Sequence, residues 1–123
     1  MVKQVGGTHY EAEYQHWDWA ADTRLGYLEG NATKYLGRHR KKNGKQDLEK
    51  ALSYVEKMIQ VKGLPGAGSR PGQDSVLLMR YIGAAGLGGS REARITILID
   101  SWRHTADLFL IRSLIQEMID DHD

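Results

Sequence analysis

The stretch 28-LEGNATKYLGRHRKKNGKQDLEKALSYVEKMIQVK-62 decides the fold. Leu28, Ala32, Tyr35, Leu36 and His39 recur at helical spacing and predict one buried face of a helix running from about Tyr27 to Lys42. Asn43-Gly44 is a strong turn and a helix stop. A second helix then starts at Gln46 or Asp47, where an acid suits the helix dipole and Asp47 reads as a cap rather than a catalytic acid. Leu48, Ala51, Leu52, Val55, Met58 and Ile59 form its apolar stripe, and Gly63 stops it. The segment from about 27 to 62 is therefore a helical hairpin with a basic connection.

Upstream, Met1 to His16 is polar and aromatic without a period, and Asp18 to Leu28 reads as a short helix. Downstream, residues 63–73, GLPGAGSRPGQ, form a Gly/Pro loop between two halves of one domain. A helix resumes at Asp74 or Ser75 and breaks at GAAGLGG, residues 83–89. Ser90 then caps a long helix reaching Asp120. The run Ile95–Ile99 is β-branched and also fits a strand, but with no partner strand in view helix is preferred. The expected class is all-α: residues 1–123 as one helical domain, with 74–123 as a helical oligomerisation half. Apolar residues from Ile95 to Ile119 occupy more than one face of a single helix, which favours assembly into a helical oligomer.

An echo at an offset of sixty pairs Asp47-Leu48 with Asp107-Leu108, and Met58-Ile59 with Met118-Ile119. A duplicated hairpin gives such an echo; so do two unrelated amphipathic helices of equal length.

The chain has 123 residues, no cysteine and a formal net charge of +1. Absence of cysteine excludes disulfides and thiolate metal sites and fits a reducing compartment. With no apolar run of membrane-spanning length, and no apolar core in Met1 to Gly7 of the kind a signal peptide has, the expected location is the cytoplasm, away from membranes. Near-neutral charge argues against a general nucleic-acid binder, leaving that reading as a minor alternative. The local distribution is uneven. Lys34, Arg38, Arg40, Lys41, Lys42 and Lys45 are uninterrupted by any acid, whereas Glu117, Asp120, Asp121 and Asp123 make the C-terminus acidic. Such asymmetry fits an anionic ligand or a head-to-tail partner, and also a plain solvated face.

Several chemistries fail at the level of motif. Neither glycine-rich segment follows a strand or carries the Gly-Lys-Ser/Thr of a phosphate loop. No histidine pair has metal spacing, so no metal ligands are assigned. Ser101, His104 and Asp107 are expected on one helix, which cannot position a nucleophile. A helical pyrophosphohydrolase needs converging acids on Mg²⁺; Glu11, Glu13, Asp18, Asp22 and Glu29 are candidates, but no Glu-x-x-Glu exists.

What remains is Asn31-x-x-Lys34-Tyr35-x-x-Arg38-x-x-Lys41, whose cations recur on one face. Phosphate is their natural partner, with Arg giving bidentate contacts and Lys a point charge. Tyr10, Tyr14, Trp17 and Tyr35 offer rings to a base, although Trp17 and Tyr35 equally suit a core. Asn31 suits a base or sugar, Lys50 joins from the next helix, and His9 is the best candidate for proton transfer.

His9-Tyr10, Trp17, the block Glu29-Gly-Asn-Ala-Thr-Lys-Tyr-Leu-Gly-Arg38 and Lys42-Asn-Gly-Lys-Gln-Asp-Leu-Glu-Lys-Ala51 with Tyr54 together resemble a small phage domain of unknown function often labelled nucleotide kinase. That family includes a phage deoxynucleoside monophosphate kinase lacking a Walker motif. The resemblance covers about residues 8–62. It implies a nucleotide-binding protein and, more narrowly, phosphoryl transfer from a nucleoside triphosphate such as ATP to a deoxynucleoside monophosphate. It implies no built-in cofactor, and Mg²⁺ is not required by the sequence. A non-catalytic nucleotide sponge that sequesters a host immune signalling nucleotide would use the same basic face.

Overall fold

The computed structural model describes residues 13–62 and 74–122. His9, Tyr10 and the loop at 63–73 lie outside the described residues. Six helices and no strand are found among the described ones: α1 (His16–Thr23), α2 (Tyr27–Arg38), α3 (Lys45–Lys62), α4 (Ser75–Ala84), α5 (Arg91–Ser101) and α6 (Thr105–Asp120). The all-α expectation holds, and Ile95–Ile99 is helical.

The helix boundaries differ from expectation at three places, each for a local reason. The first helix ends at Thr23, because Arg24 adopts φ 54° and its N–H closes on the carbonyls of Ala20 and Ala21. That left-handed residue lets the chain turn and restart at Tyr27 behind an extended Gly26. The second helix ends at Arg38 rather than Lys42. Gly44, at φ +55°, donates its N–H to the carbonyl of His39 at 2.8 Å, winding residues 39–44 into a compact turn. Lys41 therefore sits in the turn and leaves the helical row it shares in sequence with Lys34 and Arg38.

The third difference is the largest. The long helix expected from Ser90 to Asp120 is two helices. Trp102 is extended at φ −61°, ψ 146°, and Asp107 accepts the backbone N–H groups of Arg103 and His104, both at 2.9 Å, to start α6. Ser101, His104 and Asp107 are thus not on one helix. Ser101 donates to its own helix at Ile97 and Asp107 is a cap, so the group still has no nucleophile–base pairing. The break also explains the apolar width of this region. Ile95, Ile99, Trp102, Leu108, Ile111, Ile115, Met118 and Ile119 all enter the core from two differently directed helices. Ile97, Phe109 and Leu110 stay exposed.

The main core joins α2, α3, α5 and α6, with Ala32 and Leu36 meeting Leu48, Ala51, Val55 and Met58 of the neighbouring helix. A smaller cluster joins α1 and α4 through Trp19, Leu78, Tyr81 and Ile82. Trp19 and Tyr81 stack at 5.0 Å between centroids, 4° from parallel. Tyr81 also lies against α2 at Gly37, where a Cβ would come within 2.5 Å of its hydroxyl.

The two hairpins, α2–α3 and α5–α6, are built alike. Glu29 and Thr33 recur as Glu92 and Thr96, and each threonine Oγ1 donates to the glutamate carbonyl one turn back, at 2.8 and 2.7 Å. Asp47 and Asp107 both cap the second helix from its first turn. The first helices align at an offset of 63 and the second ones at 60. The difference is the shorter connection, 102–104 against 39–44. The fragmentary echo in the sequence thus coincides with matching threonine and capping hydrogen bonds in the two helix pairs.

Candidate functional site

Four of the sequence-predicted residues converge on one ring. Tyr35, half-buried on α2, has Lys34 Nζ at 5.1 Å, the Arg38 guanidinium carbon at 4.7 Å and Lys50 Nζ at 5.2 Å from its ring centroid. Lys34 and Arg38 flank Tyr35 within one turn of α2, and Lys50 crosses from α3. A tyrosine ring attracts each cation through its quadrupole, offsetting part of their mutual repulsion.

Tyr54 of α3 stacks on Tyr35 at 6.0 Å and 9°, and Tyr27 at the start of α2 meets Tyr54 edge-on at 6.2 Å and 71°. Burial, with the neighbouring Tyr27 and Tyr35 hydroxyls, pushes the Tyr54 phenol above its usual 10. The sequence reading missed Tyr27 and Tyr54 as site residues. Tyr27 lies two turns before Tyr35 on the same face of α2, a spacing legible in the sequence; Tyr54 joins only once the hairpin is packed.

Arg38 is held from its far side. Its Nε and Nη2 donate to Asp47 at 3.3 and 3.4 Å, and Asp47 also accepts the N–H of Asn43 at 3.1 Å. Asp47 is wholly buried. Burial opposes its charge, but the Asn43 N–H and the Arg38 guanidinium outweigh that and hold its carboxyl below the ordinary 3.8. Arg38 is therefore an oriented cation and not a free one.

The other predicted residues are dispersed. Asn31 Nδ2 donates to the Tyr27 carbonyl at 2.8 Å and sits between Tyr27 and Tyr35 along α2. Lys41 is exposed in the turn. Trp17 is 62% exposed on α1, so it is not core, and no ring contact joins it to the Tyr35 group. His9 and Tyr10 lie outside the described residues.

Two buried glutamates were not anticipated. Glu29 accepts from Lys62 Nζ at 2.8 and 2.9 Å and from Trp102 Nε1 at 3.2 Å. Glu92 accepts from His39 Nε2 at 2.7 Å, and Arg40 Nε lies 2.7 Å from the same oxygen. Burial raises Glu92, but its backbone hydrogen bond, His39 and Arg40 together hold it below 4.5. Among the described residues, buried His39 Nδ1 has no hydrogen-bond partner. A bare lone pair is the cheaper form there, which assigns the proton to Nε2. His16, whose Nε2 is 2.8 Å from Thr33 Oγ1, is lowered to about 4 by burial and then by the charge of Lys34, so it is neutral at pH 7.

Among the described residues no three His, Asp or Glu side chains are grouped to hold a metal ion. A second cationic place, a cleft of about 200 Å³, is lined by Arg91, Arg94, Ile95, Leu114 and Glu117. Arg91 is already bonded to Asp121 at 2.8 Å, and Glu117 opposes an anion. No helix among the described residues is long and apolar enough to cross a membrane.

Residues 7–56 match the model of a family described as a protein of unknown function, DUF3310. The DUF3310 match includes α1, α2, the Tyr27–Tyr54–Tyr35 ladder and its three cations, and it stops within α3. The α5–α6 hairpin lies beyond it. No curated protein and no solved structure matches the chain.

Proposed function

We propose that this chain binds a nucleotide through its phosphates at Lys34, Arg38 and Lys50. The observation that carries the reading is the convergence of three cations on the Tyr35 ring, only one of them balanced by an acid among the described residues. Gathering like charges is unfavourable unless an anion completes the site. Phosphate answers this chemistry, and the bidentate edge of an oriented guanidinium suits it.

The narrower reading is a deoxynucleoside monophosphate kinase without a phosphate loop, and it rests on the resemblance of residues 8–62. Phosphoryl transfer works mainly by positioning and charge neutralisation, for which Lys34 and Arg38 are suited, with His9 as the proton acceptor. A sponge needs only the binding face. Incubation with ATP and each deoxynucleoside monophosphate, with and without Mg²⁺, separates the two. Diphosphate formation supports the kinase. A nucleotide bound tightly and released intact on denaturation supports sequestration.

Binding itself is tested by calorimetry on Lys34→Ala and Lys50→Ala. Each substitution is expected to cost about 1.5–3 kcal/mol of nucleotide affinity if it removes a charged hydrogen bond. Unchanged affinity in the double variant contradicts the assignment. Arg38→Ala is a poorer probe, since it also strips the buried Asp47 of its cation. Self-association belongs to the same proposal, through the exposed Ile97, Phe109 and Leu110. Light scattering is expected to give a mass above the 13.9 kDa of one chain; a mass of one chain contradicts it.

A further inference from the structure

Resting on that reading, we infer that the ligand is a nucleoside polyphosphate lying along α2, its base on Tyr27 and its terminal phosphates at the cations around Tyr35. Tyr27, Asn31 and Tyr35 follow one another at four-residue spacing and share a helix face. At 1.5 Å of rise per residue, Tyr27 and Tyr35 are about 12 Å apart along the axis. The ring contacts agree, stepping 6.2 Å from Tyr27 to Tyr54 and 6.0 Å from Tyr54 to Tyr35.

The two ends of this strip differ in what they offer. Tyr35 has Tyr54 stacked on it and three cations about it, so its ring is already engaged. Tyr27 is 75% exposed and touches Tyr54 only in an edge arrangement, so one face is open for stacking. Lys62, near the Tyr27 end, is paired with Glu29, and the cations without a paired acid among the described residues gather at the Tyr35 end. In a nucleoside monophosphate the phosphate sits directly on the sugar beside the base, too close to the base to reach from Tyr27 to Lys34 and Lys50. A second and third phosphate extend the anion toward that end and supply more than one negative charge to meet two cations that no acid among the described residues balances. Asn31 lies between the ends. Its amide nitrogen is committed to the Tyr27 carbonyl, which leaves its side-chain oxygen to accept from a ribose hydroxyl.

The test is calorimetry on the full chain with AMP, ADP, ATP and inorganic tripolyphosphate, using wild type, Tyr27→Ala and Lys34→Ala. Affinity is expected to rise at least about tenfold from AMP to ATP, two added phosphates meeting charged donors. Tyr27→Ala is expected to weaken ATP by about fivefold or more, the loss of one stacked base, and to leave tripolyphosphate unchanged, which also reports that the variant is folded. Lys34→Ala is expected to weaken both. AMP binding as tightly as ATP, or Tyr27→Ala binding ATP like wild type, overturns the inference and leaves the phosphate site standing. An oligothymidylate binding more tightly than ATP also overturns it, in favour of a single-strand platform. Failure of wild type to bind either ATP or tripolyphosphate, or indifference of both to Lys34→Ala, overturns the underlying reading instead.

Discussion

The indole Nε1–H of Trp102 donates to the buried carboxylate of Glu29 at 3.2 Å, tying the residue after α5 to the first turn of α2. The converse tie runs from His39, the residue after α2, to Glu92 in the first turn of α5. Each hairpin thus anchors the other by an aromatic N–H delivered to a glutamate in the interior. Lys62 and Arg40 complete the two charge pairs.

Breaking these ties is expected to be costly. Glu29→Ala removes one member of a buried pair and leaves Lys62 and the Trp102 N–H unsatisfied, at about 3–5 kcal/mol. Trp102→Phe, which deletes chiefly the N–H, costs less, about 1.5–3 kcal/mol for a bond to a charged acceptor. Because the two residues touch, the double variant is expected to fall short of the sum. Urea unfolding measures all three. Strict additivity contradicts a direct tie.

Gly37 lies at the contact between the main core and the smaller cluster. Gly37→Ala is favoured by helix propensity alone, yet the added methyl meets the Tyr81 hydroxyl at 2.5 Å. Net destabilisation of about 1–3 kcal/mol is expected, as for other overpacked sites. Adding Tyr81→Phe removes the opposing atom and is expected to recover most of the loss in thermal unfolding. A stabilised Gly37→Ala protein would show that α4 does not pack on α2 as described.

His16 makes stability fall with acid from pH 6.5 downward, starting above the ordinary carboxylate range. Its pKa is 6.5 unfolded and about 4 folded, so the unfolded chain takes up the proton first. The stabilising contribution is present above pH 6.5 and is lost as the pH falls from 6.5 to 4, on the order of 3 kcal/mol in all. Asp47, Glu92 and Asp107, each held low, are protonated only further down and steepen the loss there. His16→Asn keeps a donor for Thr33 without a titrating ring. Its stability is expected to fall less than that of the wild type between pH 6.5 and 5; parallel curves would remove the assignment.

The α2–α3 hairpin was legible because its apolar stripes and Asn43-Gly44 are local signals. Lys34, Tyr35 and Arg38 were legible for the same reason, being neighbours on one helix face. The break at Trp102 was not, since no glycine or proline marks it. It exists because Trp102 reaches Glu29, a partner 73 residues away. Glu29 read as a candidate acid for Mg²⁺ and Asp47 as a helix cap; their interior ion pairs, and that of Glu92, depend on cations and N–H donors brought in by other parts of the fold. Arg38 read as a free ligand for the same reason, its tie to Asp47 depending on the turn at 39–44. The local likeness of the two helix pairs was half visible because their connections differ in length, so no single offset aligns both helices.

The central claim, that phosphate is bound around Tyr35, is tested most directly by following backbone amide resonances of the ¹⁵N-labelled chain during titration with ATP. The largest shifts are predicted at Lys34, Tyr35, Arg38, Lys50 and Tyr54, saturating together with one affinity. Shifts confined to Arg91, Arg94 and Glu117 around the other cationic cleft, or no shifts at millimolar ATP, would contradict it.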